Sequence, residues 1–498
     1  MKKNSLVYIL NPFLLVIFFI IFFYSSNLGE IITPLEIFSL ILIFTLFEML
    51  AFLIAAFTLK DLRKSSIFLT VITFIFLSYG YVHDLFNQID YAKNIFRHRY
   101  LVPLIVLFLS LLFIYLKRKK NNYNNIYKIF FTTIIILIFA NIFQIFTFNQ
   151  KPTSVLSEYI AQEYVIEDNA PDVFHIVLDM YPTNKILESR FNFNNDKFSE
   201  ELINLGFKNE DLKANYIRTM YSLPSTFNIN HFYNASKSEI NYMKETLHKF
   251  NMSVEGQLAK KLGYDIHEIS TNDVNSFYSS FLGDFSRVFI RTSILRVIDD
   301  SSIPLHNLWI NKNQKYFSEN LDKLIHLSKE PNKTWTFFYS RPPHPPFIFN
   351  EDGSRNLTFN PYNAFSEDLS DTWTIKEKEN FINQLKYVNK KIVDAIRLII
   401  SNSSNVIIII HSDHGINNMS GKDKLTNGGL INEIYEEQFS TISYIYTPDY
   451  CSKNKDLIKT NINIIPTLLR NCFNIELENK ENLQFWNAPN KEDFILIK

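Results

Sequence analysis

Val406-Ile407-Ile408-Ile409-Ile410-His411-Ser412-Asp413-His414-Gly415 opens with five β-branched residues in succession and closes in a cluster of polar groups. An unbroken apolar run of this length predicts a strand buried on both faces, as in a parallel sheet. Ligands of such sheets sit beyond the carboxyl ends of the strands, which is where Ser412, Asp413 and His414 fall. Asp413 and His414 offer adjacent oxygen and nitrogen donors of the kind zinc or a transition metal takes. Gly415 permits a sharp turn just after them. Asp-His-Gly alone is also compatible with an ordinary polar turn, so its surroundings carry the weight.

Upstream, Asp172-Val173-Phe174-His175-Ile176-Val177-Leu178-Asp179 is a second buried-strand pattern, and it ends in a carboxylate. Trp335-Thr336-Phe337-Phe338-Tyr339 is a third, running into Ser340-Arg341-Pro342-Pro343-His344-Pro345-Pro346-Phe347. Between it and the Asp-His-Gly strand, Phe381, Leu385, Val388, Ile392, Ile396 and Ile399 recur at helical spacing with polar residues opposite. Strand, helix, strand in that order is the crossover unit of a parallel sheet. A strand over 441–446 and a core-packed helix beginning at Ile464 follow. The expected domain is therefore α/β with a central, mainly parallel sheet. Several of its strands end in carboxylate or imidazole groups, as a metal site at one sheet edge requires.

The N-terminal third is of another kind. Apolar segments at 6–24, 37–59, 66–82, 101–116 and 126–146 each approach the ~20 residues that cross a ~30 Å hydrocarbon core. The first lacks a small-residue cleavage site and is followed by four similar segments, which argues against a signal peptide. Five transmembrane helices over 1–148 are expected, then a linker at 149–170 and a second domain at 171–498. Lys2, Lys3, Lys60, Arg63, Lys64, Lys117, Arg118, Lys119, Lys120 and Lys128 cluster in alternate loops, with Lys93, Arg97 and Arg99 a partial exception. The excess of basic loops places the N-terminus in the cytoplasm and the second domain outside.

Basic and acidic residues balance at 50 each, which gives no electrostatic case for nucleic acid. Cys451 and Cys472 are the only cysteines; outside the cytoplasm they are free to pair, and two buried thiols are the alternative.

The motifs Ile176-Val177-Leu178-Asp179, Thr219-Met220-Tyr221-Ser222-Leu223-Pro224, His344-Pro345-Pro346-Phe347, Ser412-Asp413-His414-Gly415 and Ile464-Ile465-Pro466-Thr467-Leu468-Leu469 together resemble the alkaline phosphatase and sulfatase superfamily. With the membrane segments they resemble its membrane-anchored branch, the lipid A phosphoethanolamine transferases and lipoteichoic acid synthases. The resemblance implies one divalent metal, zinc before manganese or magnesium, held by Asp179, Thr219, Asp413 and His414. It also implies Thr219, in a loop, as a covalent nucleophile that forms a phosphothreonine, with Ser222, Ser225 and Thr226 as rival hydroxyls. His344 would bind phosphate or act as general acid, and Ser222 and Lys424 would contact substrate, although Lys424 also fits a solvated charge run. The implied partners are a membrane phospholipid donor and an envelope glycan or lipid acceptor, at a bacterial cytoplasmic membrane.

Asp179 departs from the Glu usual at that place in the transferases, and no His follows His414. Thr219-Met220-Tyr221 cannot form the formylglycine of a sulfatase. A hydrolase of phosphate or sulfate esters and a non-catalytic membrane scaffold are the alternatives to a transferase. Asp179 as a helix cap, and His175, His231 and His411 as packed or surface residues, are the plainer readings of those side chains.

Overall fold

A computed structural model of the 498-residue chain describes residues 9–27, 34–87, 96–119, 124–148, 170–270 apart from 234 and 248, 283–300, 306–357, 373–416 apart from 404, 437–453, 458–487 and 494–497. The chain forms two compact units, Met1–Gln150 with Val274–Lys312, and Lys151–Asp273 with Asn313–Lys498.

The first unit contains α1 (Leu10–Ser25), α2 (Pro34–Leu59), α3 (Leu62–Asn87), α4 (His98–Arg118) and α5 (Asn124–Phe148). Four of these, α2 to α5, are long and apolar enough to cross a membrane. The described part of α1 is 16 residues, and it is the most enclosed: Leu15, Val16, Phe19, Ile20 and Phe23 all enter one cluster with Leu40, Phe44, Leu77, Ile134 and Ile138.

A segment expected in the second domain completes this unit. In the helix Asp284–Thr292, Phe285 and Phe289 lie four residues apart and join the α1 cluster. Its backbone approaches α3 so closely that a Cβ at Gly80 would lie 2.2 Å from the Arg291 carbonyl oxygen. Polar ties add to the docking, with Ile294 N–H donating to the Phe76 carbonyl at 2.8 Å and Asp300 bonded to His98 at 3.0 Å. The first unit is thus discontinuous in sequence.

The second unit is built on a six-stranded sheet of β1 (Asp172–Leu178), β2 (Lys208–Asn209), β3 (Asp265–Ser270), β4 (Thr334–Ser340), β5 (Val406–His411) and β6 (Ser443–Tyr446), in the order β2-β6-β5-β1-β4-β3. β3, β4, β1 and β5 run parallel, while β6 is antiparallel to both β5 and β2. Every residue of β5 is buried, as its unbroken apolar run requires. Val173, Val177, Trp335, Phe337, Ile407 and Ile409 share one cluster with Leu223, Phe227, Leu258, Ile464 and Leu468. The predicted amphipathic helix spans Ile375–Asn402 and buries Phe381, Leu385, Val388, Ile392, Ile396 and Ile399. Its N-terminus carries the Thr374/Glu377 capping box. A small hairpin of β7 (Phe485–Asn487) and β8 (Phe494–Leu496) lies apart from the sheet. Cys451 and Cys472 are joined as a disulfide, with Cα atoms 4.4 Å apart.

Candidate functional site

Sheet topology assembles the site. β1 lies between β4 and β5, all three parallel, with Leu178 opposite Ser340 and Val177 opposite His411. The residues just past these strands therefore converge at one edge: Asp179 after β1, Arg341 to His344 after β4, Asp413 and His414 after β5. Asp179 is not a cap, because the next helix, Asn184–Phe191, has Thr183 at its N-cap position.

Asp179, Asp413 and His414 are all buried, and their ligand-type atoms lie within 4.8 Å of one another. His414 Nε2 is 3.6 Å from both Asp179 Oδ1 and Asp413 Oδ2. Its other nitrogen, Nδ1, lies 2.7 Å from the Gly415 carbonyl. A carbonyl only accepts, so Nδ1 carries the proton and Nε2 turns a lone pair toward the carboxylates, the tautomer of a metal-ligating histidine. Burial, and after it the neighbouring Asp413 carboxylate, pushes the Asp179 carboxyl well above its usual range. Tyr339, whose hydroxyl donates to Asp179 Oδ2 at 2.5 Å, is pushed up by burial and then by that carboxylate. Asp413 Oδ2 is buried with no hydrogen-bond partner. Two carboxylates, one with an orphaned oxygen, and an imidazole lone pair in one buried space fit a divalent cation.

The backbone around these ligands is tightly specified. Met180 sits in the left-handed region at φ 55°, a conformation that costs a non-glycine residue about 1–2 kcal/mol. Its N–H donates to Asp413 Oδ1 at 3.2 Å, and Tyr181 N–H donates to Ser412 Oγ at 2.8 Å. Gly415 is required by close approach, since a Cβ there would lie 2.1 Å from the Glu437 carbonyl oxygen. Asn461 Nδ2 donates to the Ser412 carbonyl at 2.9 Å.

Thr219 differs from its expected setting. It is the first residue of a helix, Thr219–Asn228, which accommodates Pro224 in its interior; a proline there argues for a loop when only the sequence is considered. Thr219 Oγ1 lies 3.3 Å from His414 Nε2 and 3.5 Å from Asp179 Oδ1. The rival hydroxyls face elsewhere. Ser222 is fully buried and donates to the Asp413 carbonyl at 2.6 Å, Thr226 Oγ1 donates to the Ser222 carbonyl, and Ser225 is fully buried.

His344 is half-buried, with its ring centroid 6.5 Å from that of His414, and its Nδ1 donates to the Pro345 carbonyl at 2.6 Å. Its loop is held by Gln384, which had no motif to mark it. Gln384 Oε1 accepts from Ile348 N–H and Phe349 N–H, at 2.8 and 3.3 Å, and Nε2 donates to the Pro343 and His344 carbonyls, at 3.1 and 3.2 Å. Arg341, likewise unmarked in the sequence, sets its positive charge against the Asp179 carboxyl. Lys424 lies outside the described residues. His175, His231 and His411 are all buried, and burial holds His411 down at about 3, so that it is neutral.

No family model and no curated protein matches this chain. Among solved structures it is similar to the lipooligosaccharide phosphoethanolamine transferase A of Neisseria meningitidis, an integral membrane protein, at 11% identity over 94% of this chain and 95% of that one, with a TM-score of 0.38. It is similar to the periplasmic domain of EcEptC from Escherichia coli, in complex with zinc, at 10% identity over 66% and 93%, with a TM-score of 0.41. The lipoteichoic acid synthase LtaP of Listeria monocytogenes is similar at 14% identity over 65% and 78%, with a TM-score of 0.34. What the site of this chain can do is argued below from its own residues.

Proposed function

We propose that this protein is a membrane-anchored phosphotransferase that moves a phosphate-linked headgroup from a phospholipid to a hydroxyl of an envelope glycan or lipid. The observation that carries this reading is a hydroxyl, Thr219 Oγ1, set against a buried Asp179–Asp413–His414 cluster at the start of a helix. Asp179, Asp413 and His414 would hold a divalent cation, zinc before manganese or magnesium given the imidazole. Bound there, the cation supplies positive charge to the phosphate oxygens and acidifies the Thr219 hydroxyl.

Thr219 is the nucleophile in this reading. Its oxygen forms a bond to phosphorus as the bond from phosphorus to the lipid oxygen breaks, giving a phosphothreonine and a lipid alcohol. The positive end of the Thr219–Asn228 helix and the Arg341 guanidinium favour the charge of the phosphate. In the first displacement His344 gives a proton to the departing lipid oxygen while the Thr219 proton passes to solvent. In the second the acceptor oxygen bonds to phosphorus as the bond from phosphorus to Thr219 breaks, His344 takes the acceptor's proton, and the Thr219 oxygen regains one from solvent. Five spans with the second unit outside the cytoplasm match this donor and acceptor, and the basic loops and the Cys451–Cys472 disulfide support that orientation.

The test is incubation of the full-length protein with a labelled phospholipid, followed by peptide mass spectrometry. Label on Thr219, and transfer lowered at least about a thousandfold by Thr219→Ala with expression unchanged, is the expected result. Label on another residue, or near wild-type transfer by Thr219→Ala, defeats it. Release of the headgroup to water alone would favour the hydrolase.

A further inference from the structure

Beneath the metal cluster runs a buried chain of ionisable groups that the proposed reaction does not use. Glu255, in the helix Val254–Lys261, is fully buried, and its Oε1 lies 2.8 Å from His175 Nδ1 on β1. His175 Nε2 lies 2.8 Å from His411 Nε2, on the adjacent strand β5. His411 Nδ1 in turn lies 2.9 Å from the Ser412 carbonyl. That carbonyl belongs to the peptide that leads into Asp413.

Donor directions along the chain follow from one end. The Ser412 carbonyl only accepts, so His411 donates to it through Nδ1. Only one proton fits between the two facing Nε2 atoms, and a chain in which each ring donates toward the Ser412 peptide puts it on His175. One proton remains to be shared between His175 Nδ1 and Glu255 Oε1, and Glu255 Oε1 also accepts Trp335 Nε1–H at 3.0 Å. A carboxylic acid so deep in a core is costly unless it is compensated, and a plain packing role is met by an apolar side chain. Of its two partners, Trp335 ends in the core, while His175 leads to the turn that carries two of the three metal-ligand candidates.

We propose that Glu255 is a positioning residue for the metal centre. Through His175 and His411 it fixes the Ser412 peptide, and with it the aim of Asp413 and His414. The proposal rests on the metal-binding reading above. Second-layer hydrogen bonds of this kind typically govern metal affinity by about 10–100-fold.

The test titrates zinc chloride or manganese chloride into full-length protein in lipid nanodiscs, comparing wild type with Glu255→Gln and Trp335→Phe. An amide keeps the size of the carboxyl group but can neither hold the proton shared with His175 nor carry its negative charge, so Glu255→Gln should weaken cation binding about tenfold or more. Trp335→Phe removes the other hydrogen bond on the same oxygen and leaves the histidine branch, so it should bind as wild type even where its melting temperature falls as far. Glu255→Gln with wild-type affinity, or equal loss in both variants, overturns the proposal. Failure of wild type to bind either cation overturns the metal reading itself, and the proposal with it. Should Glu255→Gln not fold, nitrogen-15 spectra of the wild-type histidines decide: His411 protonated at Nδ1 and His175 at Nε2 supports the chain, and a bare His175 Nε2 overturns it.

Discussion

Asp179 and Asp413 are held close together in a buried space, and in the metal-free protein this arrangement works against folding. Asp179→Asn removes one of two repelling carboxylates while keeping an oxygen for the Tyr339 hydroxyl. The metal-free variant should melt higher than wild type by roughly 2–4 °C, as relieved functional strain commonly does, and should no longer gain stability from zinc. Thermal melts with and without chelator check both halves. A variant that melts lower without metal would mean that the carboxylates are not in conflict. The ligand candidates were legible in the sequence because strand-ending polar residues need only local pattern to be seen. Tyr339 and Arg341 were not legible: one looked like an ordinary strand residue and the other like a loop charge. Only the pairing of β4 with β1 brings them to Asp179.

At the scale of elements, β1, β4, β5 and the Ile375–Asn402 helix follow from periodicity alone, since a doubly buried strand and an amphipathic helix leave different apolar spacings. The helix at Thr219–Asn228 does not, because Pro224 sits where a helix would lose a backbone hydrogen bond. The helix Asp284–Thr292 belongs to the first unit, a placement its sequence does not mark, because a Phe285 and Phe289 stripe suits an aqueous core equally well. Gln384 belongs to this scale too, since it joins a helix to the loop of His344 through four hydrogen bonds. Gln384→Ala should cost about 2–4 kcal/mol by leaving buried backbone groups unpaired. Transfer should fall with it, and His344→Ala should add little in the double variant, as expected for coupled sites. Denaturant melts and a double-mutant cycle in the transfer assay test this; full additivity would detach Gln384 from His344.

For the whole molecule, orientation and pH response are the measurable consequences. A reporter fused after Lys498 should be active outside the cytoplasm, and Cys451 and Cys472 should resist alkylation until reduced. A reporter active only inside overturns the topology. Burial lowers the pKa of His231 and takes His411 from 6.5 to about 3. The unfolded chain takes up protons below about pH 6.5 that these two rings refuse in the fold. Their contribution to stability is therefore complete above that pH and is lost as pH falls below it, for His411 as pH approaches 3. His231→Gln should flatten the fall in melting temperature over this window, and an unchanged slope would show that the ring titrates as in water.

The return of Val274–Lys312 to the first unit also sets an order of manufacture. β1, β2 and β3 leave the ribosome before that segment, and β4, β5 and β6 after it. β1 has β4 and β5 as its neighbours in the finished sheet, so both of its edges stay bare until the chain has gone back to complete the helical unit. At typical elongation rates the start of β4, the first neighbour to be made, trails that of β1 by roughly 8–30 s. For that interval Val173-Phe174-His175-Ile176-Val177-Leu178 is an apolar strand without partners, the kind of segment that pairs with other nascent chains. Synthesis of this protein thus has a built-in waiting period.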